Sequence, residues 1–140
     1  MPSGCGGSGW GAITNVGDGL KVGLASAALT GGVAVVMGGH TEYGWMRVGT
    51  VPPYVALHAC STNHPKLGVP LGASTPGGTV LATGFADTTA FTLVDAGSGT
   101  YNIKPSYGPG TSCLTDNGAN RQLTIGDCVP GAKSQLWRVP

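Results

Sequence analysis

Charge is scarce in this chain: seven Lys and Arg stand against six Asp and Glu, and charged residues make up 9% of the sequence. So few and so balanced charges form no basic stripe along a phosphate backbone, which excludes nucleic acid as a partner. No apolar run is long enough to span a bilayer as a helix, so membrane insertion by that route is excluded too. The opening residues Met1-Pro2-Ser3-Gly4-Cys5 carry neither the cationic start nor the apolar stretch of a secretory signal. That points to a cytoplasmic or non-classically secreted chain, or to a secreted one in its mature form. Catalytic signatures are equally thin: there is no Gly-x-Ser-x-Gly, no Cys-x-x-Cys and no His-Glu-x-x-His. Gly7-Ser8-Gly9-Trp10-Gly11 leads into a strand instead of opening a helix, so it does not cradle phosphate. His58, Cys60 and His64 have the chemistry of metal ligands, but a fourth ligand is not evident; no metal and no cofactor is expected. Asp116 and Asp127 flank one short hairpin, where turn capping or solvation accounts for them more simply than a catalytic pair. The chain is not expected to be an enzyme.

Glycine and proline are what the sequence has in quantity. The 26 Gly and 10 Pro lie between short β-branched runs, which is how the many tight turns of an all-β fold look in sequence. Apolar residues at 41% are enough to fold the chain as one domain covering residues 1–140. No segment sustains a 3.6-residue apolar stripe; the Gly31-Gly32 pair inside the best candidate, 20–36, reads as a hairpin turn. Four cysteines permit three pairings, and the sequence alone does not choose among them.

The chain also repeats. Trp45, Phe91 and Trp137 are spaced 46 residues apart, each opening a short strand: Trp45-Met46-Arg47-Val48, Phe91-Thr92-Leu93-Val94 and Trp137-Arg138-Val139. Before each ring lies a further strand, at 33–37, 79–83 and 122–125, and before that another, at 20–24, 67–71 and 112–115. Every unit begins with an aromatic strand, at Trp10, Tyr54 and Tyr101. Three units of four strands, about 10–48, 54–94 and 101–140, account for nearly the whole chain. A four-stranded unit cannot bury one face alone, whereas three around a pseudo-threefold axis close a barrel and cap it, leaving no open edge. The three ring positions are then core, together with Trp10, Tyr54 or Val55, and Tyr101.

Cys113-Leu114-Thr115, then Leu123-Thr124-Ile125-Gly126-Asp127-Cys128, then Gln135-Leu136-Trp137 resemble one subdomain of a ricin-B-type (R-type) β-trefoil lectin, particularly the small mushroom lectins. The resemblance implies an all-β β-trefoil of three four-stranded repeats and a disulfide between Cys113 and Cys128. It leaves Cys5 and Cys60 either paired with each other or as free buried thiols. It also implies shallow sites for terminal galactose or N-acetylgalactosamine. An Asp after the first Cys accepts from vicinal hydroxyls, a ring near the second Cys stacks on the sugar's apolar face, and an Asn precedes Gln-x-Trp.

In the third repeat Thr115 and Asp116 follow the first Cys, Gly126 falls at the ring position and Ser134 at the Asn position; Gln135 and Trp137 match. Asp116, Asn117, Asp127 and Ser134, with Thr115, form that repeat's candidate contact set. In the first repeat Asp18 lies 27 residues before Trp45, with His40 as a substitute stacking surface and Glu42 near the Asn position. Asp87 is the second repeat's candidate. The functional expectation is a lectin for glycans or glycoproteins, with homo-oligomers a natural way to multiply weak sites. Two further readings are a β-trefoil protease inhibitor presenting loop 61–66 or 106–110, and a non-enzymatic scaffold that has lost its ligand.

Overall fold

The computed structural model describes residues 10–25, 33–38, 44–49, 53–60, 66–68, 81–83, 90–106 and 110–140, and for 33, 66–68 and 81–83 the backbone alone. Its strands are β1 (Thr14–Asn15), β2 (Val22–Leu24), β3 (Val33–Met37), β4 (Trp45–Gly49), β5 (Val55–Ala59), β6 (Lys66–Gly68), β7 (Leu81–Thr83), β8 (Phe91–Gly97), β9 (Thr100–Pro105), β10 (Ser112–Thr115), β11 (Thr124–Asp127) and β12 (Trp137–Arg138). One element departs from the expected all-strand pattern: Lys133–Gln135 form a single 3-10 turn immediately before β12. Among the described residues no helix is long and apolar enough to cross a membrane.

Six strands form a closed antiparallel ring. β1 pairs with β12, β12 with β9, β9 with β8, β8 with β5 and β5 with β4. The ring closes where Gly11 and Trp45 exchange backbone hydrogen bonds of 2.9 and 2.7 Å. The other six strands make three hairpins, β2–β3, β6–β7 and β10–β11. These hairpins touch one another: β3 pairs with β7, and Val36 bridges to Gln122 just before β11. A six-stranded barrel capped by three hairpins is the expected β-trefoil. Closure gives every barrel strand two neighbours, so the short strands this Gly-rich sequence can form suffice.

The threefold repetition extends to single hydrogen bonds. Trp45 Nε1–H donates to the Val22 carbonyl at 3.0 Å, and Trp137 Nε1–H donates to the Leu114 carbonyl at 3.0 Å, each across 23 residues. In each case a buried indole that must satisfy its one donor fixes the β2-type strand against the barrel. Phe91 holds the middle position without a donor. All three rings are fully buried, as the 46-residue spacing predicts.

The remaining expected core aromatics are placed differently. Tyr54 is 38% exposed, and Trp10 and Tyr101 are only partly buried. The barrel interior is filled by Ile13, Leu57 and Ile103 instead, all at 0% exposure. A branched aliphatic side chain fits inside a narrow ring of strands, whereas a tyrosine hydroxyl has to reach water or a partner. Tyr101 finds another use, with the Arg47 guanidinium 5.7 Å above its ring.

Cys113 and Cys128 form a disulfide, with Cα atoms 5.1 Å apart and 15 residues between them in sequence. Cys60 is also disulfide-bonded and no described cysteine is free, which excludes the free-thiol alternative at Cys60; Cys5 lies outside the described residues. Replacing both Cys113 and Cys128 with Ser is expected to lower unfolding stability by about 3 kcal/mol, read as a lower urea midpoint. An unchanged midpoint would show that the β10–β11 hairpin needs no staple.

Candidate functional site

The loop between β11 and β12 is organised around one buried amide. Gln135 is 4% exposed; its Nε2 donates to the Asp127 carbonyl at 2.7 Å and to Thr115 Oγ1 at 3.2 Å, while its Oε1 accepts from the Val129 N–H at 2.8 Å. Thr115 Oγ1 in turn donates to the Cys113 carbonyl at 3.0 Å. The Thr115 hydroxyl is therefore engaged on both sides within the protein. Gly126 faces it closely: a Cβ there would sit 2.9 Å from Thr115 Oγ1, nearer than side chains tolerate. No ring could occupy that position without displacing Thr115, so this corner is framework and offers no stacking surface.

The exposed rim of the same loop is different in character. The Asp127 carboxylate and the Ser134 hydroxyl are exposed and make no hydrogen bond to any described residue, although their backbones are held, Asp127 by Gln135 and Ser134 by two donors. Asn117 is exposed as well. Its Nδ2 donates to the Gln122 carbonyl at 3.0 Å and to Thr124 Oγ1 at 2.9 Å, which fixes the side chain. A rigid backbone thus presents acceptors whose hydrogen-bonding capacity the protein does not use.

Asp116 and Asp18 are brought together, although they belong to different repeats. Asp116 is 8% exposed, and its Oδ1 accepts from the Gly118 N–H at 2.7 Å. Asp18 sits in the exposed turn between β1 and β2, where its Oδ1 caps the Leu20 N–H at 2.9 Å. The two carboxyls share a hydrogen bond. Burial pushes the Asp116 carboxyl up to about 6, and the hydrogen bond to Asp18 and the charge of Asp18 add to that rise against the opposing Gly118 N–H.

The paired indole bonds also revise the count that aligned Asp18 with the family position. They set Val22 opposite Leu114, so Gly23 corresponds to Thr115 and Asp18 falls four residues short of Val22, in the preceding turn.

Asn15 was not legible as part of this region, yet it joins the two repeats. It is 1% exposed; its Nδ2 donates to the carbonyls of Ser134 (3.2 Å) and Leu136 (3.3 Å), and its Oδ1 accepts from the Gly17 N–H at 2.8 Å. A short asparagine ahead of Gly-Asp-Gly signals a local turn, and that half is present; its bonds to the far end of the chain leave no sequence signal. His40, Glu42 and Asp87 lie outside the described residues, as do 61–65 and 107–109 of the two inhibitor-type loops. Cys60, being disulfide-bonded, is not a thiolate ligand for a metal.

No protein-family model matches the sequence, and no curated protein does. Solved structures do match. A designed threefold-symmetric protein, ThreeFoil, aligns with a TM-score of 0.79 at 18% identity over 93% of this chain and 96% of its own. The Rhizoctonia solani agglutinin aligns at 0.76 and 14% identity, covering 93% of this chain and 92% of that one. A Macrolepiota procera ricin B-like lectin in complex with lactose aligns at 0.67 and 18% identity, over 96% and 98%. At these identities the likeness speaks for the architecture, and the architecture is the β-trefoil.

Proposed function

We propose that this protein is a non-catalytic, carbohydrate-binding lectin for terminal galactose or N-acetylgalactosamine on glycans and glycoproteins, and that its third repeat carries a working site. The observation behind this reading is a set of exposed acceptors in the third repeat, Asp127 and Ser134 at the Gln135 loop and Asn117 in the turn between β10 and β11, on a backbone already fixed by other bonds. Vicinal sugar hydroxyls are donors, and a carboxylate is the strongest neutral-pH acceptor a protein offers them. The likeness to a lectin solved with lactose supports the same class.

With Gly126 in place of a ring, the site depends on hydrogen bonds without stacking, so binding to a single sugar is weak. Avidity then comes from several repeats or from several subunits, which is where homo-oligomers would matter. Asp18, Thr115 and Asp116 are held within the protein and serve as supports to these acceptors. Calorimetric titration with lactose and with N-acetylgalactosamine is expected to give millimolar binding. Asp127→Ala is expected to weaken it by about ten- to hundredfold, the value of a hydrogen bond to a charged group. Failure of the unmodified protein to bind either sugar at millimolar concentration, or on a glycan array, would remove the proposal.

A further inference from the structure

We propose that Asn117-Gly118 is a site of spontaneous deamidation that the fold holds shut, so that Asn117 converts to a carboxylate only when the turn between β10 and β11 opens. Sugar binding plays no part in it.

The chemistry needs only the chain and water. The Gly118 amide nitrogen attacks Cγ of Asn117; the N–Cγ bond forms, the Cγ–Nδ2 bond breaks, and Nδ2 leaves as ammonia with the proton that Gly118 N carried. Water then opens the cyclic imide at either carbonyl, giving aspartate or isoaspartate at 117. Glycine hinders such an attack least, because it has no Cβ beside its nitrogen. Asn117-Gly118 is the one Asn-Gly pair in the sequence, and Asn117 is exposed to water. The turn itself demands the glycine, since Gly118 has a φ of +109°, where any other side chain is strained.

Both reacting groups are engaged elsewhere. The Gly118 N–H donates to Asp116 Oδ1 at 2.7 Å, which ties the attacking nitrogen to the end of β10. Asn117 Nδ2 donates to the Gln122 carbonyl at 3.0 Å and to Thr124 Oγ1 at 2.9 Å, which ties the carboxamide to the start of β11. Attack requires the nitrogen to give up its proton and the carboxamide to swing free, so all three bonds must break. The turn is also fastened to the first repeat. Asn120 N–H donates to the Met37 carbonyl at 2.8 Å, and Met37 N–H donates to the Arg121 carbonyl at 3.1 Å. Opening therefore breaks bonds between repeats as well as local ones. Conversion hinders reclosing: a carboxylate at 117 has no hydrogen for the Gln122 carbonyl and sets acceptor against acceptor.

The test keeps the protein in warm neutral buffer, folded or unfolded in urea, and follows Asn117 by peptide mapping and mass spectrometry. When only the open turn reacts, the folded rate is the unfolded rate multiplied by the open fraction, and it is expected to be about tenfold or more below the rate in urea. For variants, each folded rate is divided by that variant's own rate in urea. Thr124→Val is expected to raise this ratio about three- to tenfold, the value of one hydrogen bond, and Thr124→Ser should return it to that of the unmodified protein. Asp116→Ala distinguishes a lock from a base. Freeing the Gly118 N–H should raise the ratio, whereas a fall would show that the Asp116 carboxylate assists the attack. Tryptophan fluorescence identifies a variant that converts fast because it is unfolded, and the comparison within the unmodified protein stands without the variants. Equal rates folded and in urea would overturn the proposal, as would an absence of conversion in urea, an unchanged ratio in Thr124→Val or a fall in Asp116→Ala.

Discussion

Replacing Trp137 with Ala is expected to remove about 3–5 kcal/mol of unfolding stability, the range for deleting a buried Trp or Phe side chain. Small domains have total stabilities of about 5–15 kcal/mol, so the variant should be largely unfolded or close to it. Trp137 is fully buried in the common core, on the strand where β12 joins β1 and β9 in the barrel, and its indole N–H is the partner of the Leu114 carbonyl. Trp137→Phe separates the two contributions. It keeps most of the packing and loses the donor, so the expected loss is about 1–2 kcal/mol, the cost of leaving a buried carbonyl unpaired. Phe91 already occupies the equivalent place in the middle repeat, which shows that the fold accommodates a ring without that bond. Urea unfolding followed by tryptophan fluorescence measures both; equal losses for the two variants would mean that the hydrogen bond, and not the ring, carries the position.

The second large effect is expected at Gln135. Truncating it to Ala leaves the Val129 N–H, the Asp127 carbonyl and one side of Thr115 Oγ1 without their partner, at an estimated loss of about 2–4 kcal/mol. Gln135→Glu is a sharper test of the assignment. A carboxylate can still accept from the Val129 N–H but cannot donate to the Asp127 carbonyl or to Thr115. It should therefore destabilise the protein at neutral pH and recover part of that loss in acid, where its protonated form has a donor again. Because Gln135 holds the backbone that carries Asp127 and Ser134, either change should also weaken sugar binding without touching a sugar contact. A Gln135→Ala variant with unchanged stability would show that the loop stands by its own turns, contrary to the role given to this amide.

What could be read in the sequence, and what could not, divides along physical lines. The 46-residue spacing of Trp45, Phe91 and Trp137 is legible because three equivalent core positions face the same packing demand, and large rings are the residues least replaceable there. The β10–β11 hairpin and its disulfide followed from the resemblance of the third repeat. Ile13, Leu57 and Ile103 were hidden because an aromatic residue near the start of a strand and an aliphatic residue two or three places on give the same apolar pattern, and only the width of the barrel decides between them. The 3-10 turn at Lys133–Gln135 is too short to have a period of its own. The Asp18–Asp116 contact joins the two ends of the chain through pseudo-threefold docking of turns, for which neither local propensity nor spacing provides a sign.

That division also explains why the candidate site changed shape. Counting residues from an aromatic mark placed Asp18 beside His40 and Glu42 in a first-repeat site. Between Val22 and Leu114 the repeats match bond for bond, but the hairpins and following loops differ in length. Met37 stands opposite Val22 and is followed by Trp45 after 8 residues, whereas Ile125 stands opposite Leu114 and is followed by Trp137 after 12. A constant distance between rings conceals these compensating differences. His40 and Glu42 lie in sequence between β3 and β4, where such a count drifts by several positions; Asp18 misses the family position for a simpler reason, since it precedes Trp45 by 27 residues whereas Thr115 and Asp116 precede Trp137 by 22 and 21.

The proposed contact of Asp127, Ser134 and Asn117 with sugar is open to direct measurement. A lactose titration of the isotope-labelled protein, followed by backbone amide NMR, tests it most directly. The account predicts saturable shifts at millimolar lactose centred on Asn117, Asp127 and Ser134, lost in Asp127→Ala while the rest of the spectrum is retained. Lactose binding with shifts confined to another part of the trefoil, or a spectrum unchanged by lactose, would contradict it.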